Sequence, residues 1–184
     1  MSLPNILSLL RICLVPVFPL VYYSGMQNAH IWAALVYTLA AATDVLDGYL
    51  ARRYDMITRL GRLLDPLADK LMGAVVIICL ALTFPSLWWA AALFFAKEAA
   101  MGLGALIQYK KIADVPPSAF LGKLAVSCFF VSCCAILILQ DALREPTLFL
   151  LTQAAIGVSM LVSLAALVHY LLRFIALTRQ TRDK

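Results

Sequence analysis

Charge is scarce in this chain: 15 Lys and Arg and 10 Asp and Glu stand among 184 residues, against 64% hydrophobic residues and a mean hydropathy of +0.92. A soluble domain needs a polar shell, and stretches such as Met72 to Phe95 and Leu124 to Leu139 supply almost nothing to build one from. Lipid is therefore the solvent for most of the chain. Histidine is nearly missing. His30 and His169 stand at the ends of apolar segments without partners at metal-ligand spacing, which points to structural or interfacial roles. The five cysteines all fall inside apolar segments and form no CxxC pair, so a zinc site is excluded and they read as small packing residues. Internal repeats, low-complexity tracts and linkers are absent as well, which leaves one helical bundle over residues 1–184 and no support for a repeat-built transporter. The net charge of +5 comes without a soluble basic domain or a base-stacking surface, which argues against nucleic acid as a partner.

What is present is a series of apolar runs long enough to cross a bilayer. A span takes about 20 residues. Pro, Gly and charged residues punctuate the chain into spans near 4–24, 30–53, 62–84, 87–109, 118–140 and 147–172. The spacing predicts an all-α integral membrane protein, a six-transmembrane-helix bundle. Trp32, Trp88 and Trp89 fall where interfacial belt residues belong. The first run lacks a basic extreme N-terminus and carries Arg11 within it, so it is expected to be a retained helix rather than a cleaved signal.

The turns around Ser24–Asn28, Phe84–Ser86 and Asp141–Pro146 would share one side, and those around Tyr54–Thr58 and Ile112–Pro117 the other, with both termini. Arg52, Arg53, Arg59, Arg62, Lys110, Lys111, Lys123, Arg173, Arg179, Arg182 and Lys184 gather on that second side, and Arg144 alone on the first. Basic residues are retained in the cytoplasm, so both termini are expected there, in a bacterial inner membrane.

The informative segment runs Asp44-Val45-Leu46-Asp47-Gly48-Tyr49-Leu50-Ala51-Arg52 and, eight residues later, Gly61-Arg62-Leu63-Leu64-Asp65-Pro66-Leu67-Ala68-Asp69. On helices, Asp44 and Asp47 are three apart and Asp65 and Asp69 four apart, so each pair projects from one face. The short intervening loop makes the two helices antiparallel neighbours, and the pairs converge at the cytoplasmic side. Each charge within a span costs about 2.5–3.5 kcal/mol on insertion scales, and four converging anions repel one another. Divalent cations are the natural compensation. An all-oxygen donor set suits Mg²⁺ or Mn²⁺, and four carboxylates suffice for two ions clamping a diphosphate. Gly48, Ala51 and Gly61 are small enough to let a flat group such as a nucleotide base approach the backbone.

This segment resembles the signature of the CDP-alcohol phosphotransferases, DxxDGxxARx8GxxxDxxxD. Asp44, Asp47, Gly48, Ala51, Arg52, Gly61, Asp65 and Asp69 match it without gap or substitution. The opening Pro4-Asn5-Ile6-Leu7-Ser8-Leu9-Leu10-Arg11 is similar to that family's PNxLTxxR start, and six spans is its usual count. The resemblance implies that Asp44, Asp47 and Asp65 bind metal ions, that Asp69 shares in this and acts as general base, and that CMP leaves as the phosphatidyl group of CDP-diacylglycerol passes to an alcohol. It places Gly48, Ala51, Arg52, Gly61 and Asp47 at the CDP-lipid. It also implies a homodimer surrounded by membrane lipids.

The acceptor is read from basic residues. Lys97 and Glu98 sit mid-span, where they are costly unless they face a polar cavity or pair with other groups. Members acting on glycerol 3-phosphate commonly carry Arg-Glu at this place, and Lys97 departs from that by losing bidentate phosphate binding. Gly122-Lys123 resembles a Gly-Lys pair of the same subgroup, whose lysine helps hold the acceptor's phosphate, and Lys110 adds positive charge nearby. Arg11 lies too deep in its span for snorkelling and is expected to meet a phosphate or a site carboxylate. Together Arg11, Lys97, Lys110 and Lys123 point to sn-glycerol 3-phosphate as acceptor. Transfer to phosphatidylglycerol, giving cardiolipin, is the nearest alternative. An intramembrane prenyltransferase would carry an NDxxD or DDxxD motif instead. A cation transporter would need its aspartates reachable from both sides.

Overall fold

The computed structural model describes residues 3–53, 61–111, 120–143 and 145–180. Within them every regular element is helical: α1 (Leu3–Tyr22), α2 (Ala29–Arg53), α3 (Gly61–Thr83), α4 (Trp88–Lys111), α5 (Phe120–Leu139) and α6 (Glu145–Gln180), with one 3₁₀ turn at Pro85–Leu87. Five helices lie within about three residues of the expected spans. The sixth runs eight residues past the expected end at 172, because its sequence contains no Gly or Pro after Gly157 to stop it. The shortest helices have 20 residues, about 30 Å at 1.5 Å per residue and enough for the hydrocarbon core of a bilayer.

Among the described residues, three segments are long and apolar enough to cross a membrane by length and composition: Ala29–Leu46, Phe120–Leu139 and Pro146–Leu172, with a shorter apolar helix at Leu7–Tyr22. α3 and α4 carry Asp69, Lys70, Lys97 and Glu98 among their described residues. Their departure from pure apolarity is concentrated where the candidate site lies.

Tight turns set the antiparallel order. Between α1 and α2 the chain reverses through Gly25 (φ 68°) and Asn28 (φ 59°), residue types that tolerate the left-handed region. The Ser24 hydroxyl donates to the Val21 carbonyl at 2.7 Å. Pro85 opens the 3₁₀ turn after α3, where its missing N–H costs nothing.

α3 is central. It packs against α1, α2, α4 and α5, and its Ala68, Met72, Val76, Ile77, Leu80 and Ala81 are buried. α5 lies chiefly on α6, and α1 on α2 and α3. Around this core the soluble-protein pattern is inverted. Leu20, Val45, Phe120, Leu150 and Leu161 are each at least two-thirds exposed, while Ser8, Arg11, Thr152, Ser159 and Ser163 are buried. Large apolar side chains facing outward and polar ones inward are what a lipid solvent favours.

Candidate active site

Arg11 is the largest fully buried side chain of the bundle, and Asp44 explains how α1 accommodates it. Nη1 of Arg11 lies 2.6 Å from Oδ1 of Asp44 on α2, while the Asp44 side chain stays 46% exposed. A buried guanidinium is tolerable only beside an anion. The pair therefore ties α1 to α2 and leaves the outer edge of the Asp44 carboxylate free to act as an oxygen donor.

Asp69 enters from α3. It lies within electrostatic reach of Asp44, Arg11, Lys97 and Glu98, so four helices deliver charge to one region of the bundle. It also lines a cavity of about 50 Å³ together with Tyr37, Lys70, Lys97, Glu98 and Ser163. The apolar side of the cavity is aromatic, with Phe94 and Phe129 stacked at 5.3 Å between centroids. Gly73 makes room for them, since a Cβ there would stand 3.2 Å from Cζ of Phe94.

Lys97 and Glu98 face this cavity and pair with each other, Nζ to Oε1 at 2.7 Å; Lys70 reaches Oε2 of Glu98 at 3.2 Å. Lys97 also stands 5.4 Å from the Phe94 ring centroid, a favourable seat for a cation. Sequence reasoning required a polar cavity or a partner for Lys97, and both are present. It overlooked Lys70, whose position directly after Asp69 was the available signal.

Lys123 lies exposed in the first turn of α5, and Ala125, Val126 and Phe129, two to six residues further on, line the cavity wall. Gly48 lies on α2 one turn beyond Asp44. The side chains of Asp47, Ala51, Arg52, Gly61, Asp65 and Lys110 lie outside the described residues, as do the turns at 54–60 and 112–119. The backbone is helical through 44–53 and 61–69, so the three- and four-residue spacings of the aspartates are helical spacings. Among the described residues no three carboxylate, histidine or cysteine groups cluster at metal-binding distance. Asp44 and Asp69 are the described members of the acidic set, and both are oxygen donors of the kind Mg²⁺ or Mn²⁺ takes.

The opposite end of the bundle is built differently. Oη of Tyr22 lies 2.9 Å from Oγ1 of Thr83 and 3.3 Å from Oε1 of Gln140, joining α1, α3 and the end of α5. Gln153 on α6 donates to Oγ of Ser86 at 2.6 Å and accepts from Nε1 of Trp89 at 3.3 Å. Nδ1 of His30 lies 2.7 Å from Oδ1 of Asp141. The turns expected on the first side therefore do meet at one end. An open groove of about 470 Å³ lies there, lined by Thr83, Ser86, Gln140 and Asp141 among others.

Comparison with known proteins adds a family. The family model described as CDP-alcohol phosphatidyltransferase matches residues 1–169. Three proteins named CDP-diacylglycerol–glycerol-3-phosphate 3-phosphatidyltransferase are similar to this chain. That of Pseudomonas fluorescens is 46% identical over 88 residues, 48% of this chain and 45% of that protein. That of Sodalis glossinidius is 42% identical over 101 residues, 53% and 55% of the two chains. That of Escherichia coli K12 is 40% identical over 100 residues, 53% and 54%. The chain spans about half the length of the curated relatives it matches.

Proposed function

The chain belongs to the CDP-alcohol phosphatidyltransferase family, and from that premise we propose that it moves the phosphatidyl group of CDP-diacylglycerol onto sn-glycerol 3-phosphate, releasing CMP. The observation that carries the reading is the meeting of Asp44 and Asp69, from two consecutive helices, beside a cavity lined by Lys70 and Lys97 at one end of an otherwise apolar bundle. The names of the similar proteins agree with both substrates.

In this reading Asp69 accepts the proton of the acceptor hydroxyl as that oxygen attacks the phosphorus bearing the lipid. The new P–O bond forms as the bond to the CMP phosphate breaks, and CMP departs with the electron pair. Asp44, Asp47, Asp65 and Asp69 would hold two Mg²⁺ or Mn²⁺ ions, which when bound neutralise charge on the diphosphate as it splits. Arg11 holds the Asp44 carboxylate in place. Gly48, Ala51 and Gly61 leave room for the cytidine, Arg52 meets the diphosphate, and Lys97, Lys110 and Lys123 favour an anionic acceptor. The walls of α3, α4 and α5 keep bulk water from the activated phosphorus.

All six helices span the bilayer in this reading. The side bearing the basic residues is the cytoplasmic one, in a bacterial inner membrane, and the exposed apolar helix faces serve lipid and a second copy of the chain. The test is CMP release by purified protein given CDP-diacylglycerol and Mg²⁺, with glycerol 3-phosphate, phosphatidylglycerol and inositol phosphate compared as acceptors. Release with glycerol 3-phosphate, lost on chelation and in Asp69→Asn, is the expected result. Release only with phosphatidylglycerol would replace the acceptor, and no release with any acceptor would overturn the reading.

A further inference from the structure

The groove at the end of the bundle remote from Asp69 plays no part in the proposed reaction. Its volume of about 470 Å³ lies within the roughly 300–1,000 Å³ typical of small-molecule sites. Part of its lining is apolar, supplied by Phe84 and Pro85 after α3 and by Leu148 and Phe149 near the start of α6. The rest is polar, and ends in Gln140 and Asp141, the two residues that follow α5.

Two of the polar side chains are already occupied. Oγ1 of Thr83 donates to the Cys79 carbonyl at 3.1 Å and lies 2.9 Å from Oη of Tyr22, and Oγ of Ser86 accepts from Gln153. The other two have capacity left. Nδ1 of His30 meets Oδ1 of Asp141, and no described residue bonds its Oδ2, on a side chain 42% exposed. Oε1 of Gln140 accepts from Tyr22 at 3.3 Å, and no described residue takes its amide N–H groups. Adjacent residues therefore offer a carboxylate oxygen and a neutral amide donor beside an apolar wall, with no Lys or Arg among the described lining residues. An ammonium group suits the first and a phosphate-ester oxygen the second. A ligand bearing only negative charge would meet no cation there.

Depth narrows the ligand further. The apolar stretch Phe120–Leu139 closes one residue before Gln140, and the stretch Pro146–Leu172 opens two residues before Leu148. Trp88 and Trp89, directly after the 3₁₀ turn, are exposed in the manner of headgroup-belt residues. The groove thus lies at the border between hydrocarbon and headgroups. Next to Phe149 the outward face of α6 continues through Leu150, Val158 and Leu161, each more than half exposed, a track for an acyl chain along one side of the helix.

We infer that the groove seats a phospholipid whose headgroup ends in a primary ammonium. The ammonium donates to Oδ2 of Asp141, the phosphate accepts from the Gln140 amide, and the chains run along α6. This lipid site is independent of the proposed reaction. Its occupant clamps the turn after α3 to the turn after α5, at the end opposite the acidic set. Methylating the nitrogen keeps the charge but removes the N–H donors, and a glycerol headgroup removes the charge as well.

The test is thermal unfolding of the full chain in detergent with added phosphatidylethanolamine, phosphatidylcholine or phosphatidylglycerol of identical acyl chains. Phosphatidylethanolamine is expected to raise the midpoint by about 3 °C or more beyond the other two, the shift that about a tenfold excess over the dissociation constant produces. Asp141→Asn removes that difference and leaves the response to phosphatidylcholine as it was. His30→Ala retains it, because the carboxylate remains, which separates loss of the charge from loss of the ion pair. Should Asp141→Asn fail to fold, native mass spectrometry of the wild-type chain in an equimolar mixture of the three lipids decides, with one retained phosphatidylethanolamine expected and no preference overturning the inference. Equal rises with all three lipids, a larger rise with phosphatidylglycerol, a rise with none, or a preference that survives Asp141→Asn would each overturn it as well.

Discussion

The two ends of the bundle hold the same helices together by different chemistry. At one end Tyr22, Thr83, Gln140, Ser86, Gln153 and Trp89 exchange neutral hydrogen bonds, and the lone ionisable pair described there, His30 with Asp141, sits at the surface. At the other end Arg11, Asp44, Asp69, Lys70, Lys97 and Glu98 gather, with Arg11 buried, Lys97 and Glu98 largely buried, Asp44 half-exposed and Asp69 and Lys70 exposed. Neutral hydrogen bonds satisfy helix ends at little electrostatic cost. Buried charges stabilise poorly and persist where they serve a reaction. The first end fastens the helices, and the second gathers the groups of the proposed reaction.

Substitutions that trade the roles of the two ends would break the comparison. The largest expected effect is on turnover. Asp69→Asn should lower CMP release by about 10²–10⁴-fold, the contribution of a general base, while thermal unfolding in detergent stays level or improves because one anion leaves a crowded cluster. A matching loss of stability would mean that Asp69 fastens the bundle instead. Arg11→Met comes next. Breaking a buried ion pair costs about 3–5 kcal/mol, and the half-exposed Asp44 places this case near the lower bound; the unfolding midpoint in denaturant reads it, and CMP release should fall in parallel.

Gly73→Leu sharpens the boundary between the ends. Its side chain would enter the space of Phe94 and Phe129 and cost about 1–3 kcal/mol of overpacking, while closing the cavity next to Asp69. A stability loss accompanied by normal turnover would show that the cavity is dispensable. The smallest effect belongs to the far end. His30→Ala removes a surface pair worth at most about 1 kcal/mol and should leave CMP release unchanged; a clear drop in turnover would couple the two ends and end the distinction.

Much of this arrangement was legible in the sequence, for reasons that can be given residue by residue. Helix boundaries followed from punctuation: Gly25 and Asn28 supply the left-handed turn, and Pro85 the 3₁₀ start. The helical backbone under the aspartates was legible, and helical spacing fixes which residues share a face; of the four, Asp44 and Asp69 lie among the described side chains. The cost of burying Lys97 and Glu98 called for a polar cavity or a partner, and both are present. Pairings between distant helices were not legible. His30 and Asp141 are 111 residues apart, and their contact depends on which helix ends become neighbours. Arg11 was compatible with a phosphate or a carboxylate until the packing of α1 on α2 brought Asp44 to it. Lys70 was overlooked because a lysine next to a motif looks like any headgroup anchor until the helix carrying Glu98 is packed beside it.

α6 continues as an unbroken helix from Glu145 to Gln180, 36 residues or about 54 Å, while its apolar stretch closes at Leu172. The two further turns extend α6 as a helical stalk beyond its apolar stretch. A soluble marker domain grafted in continuous helical register onto that stalk would be held at a fixed angle to the bundle, giving a 20.2 kDa chain buried in a detergent belt the asymmetric mass that single-particle image alignment requires.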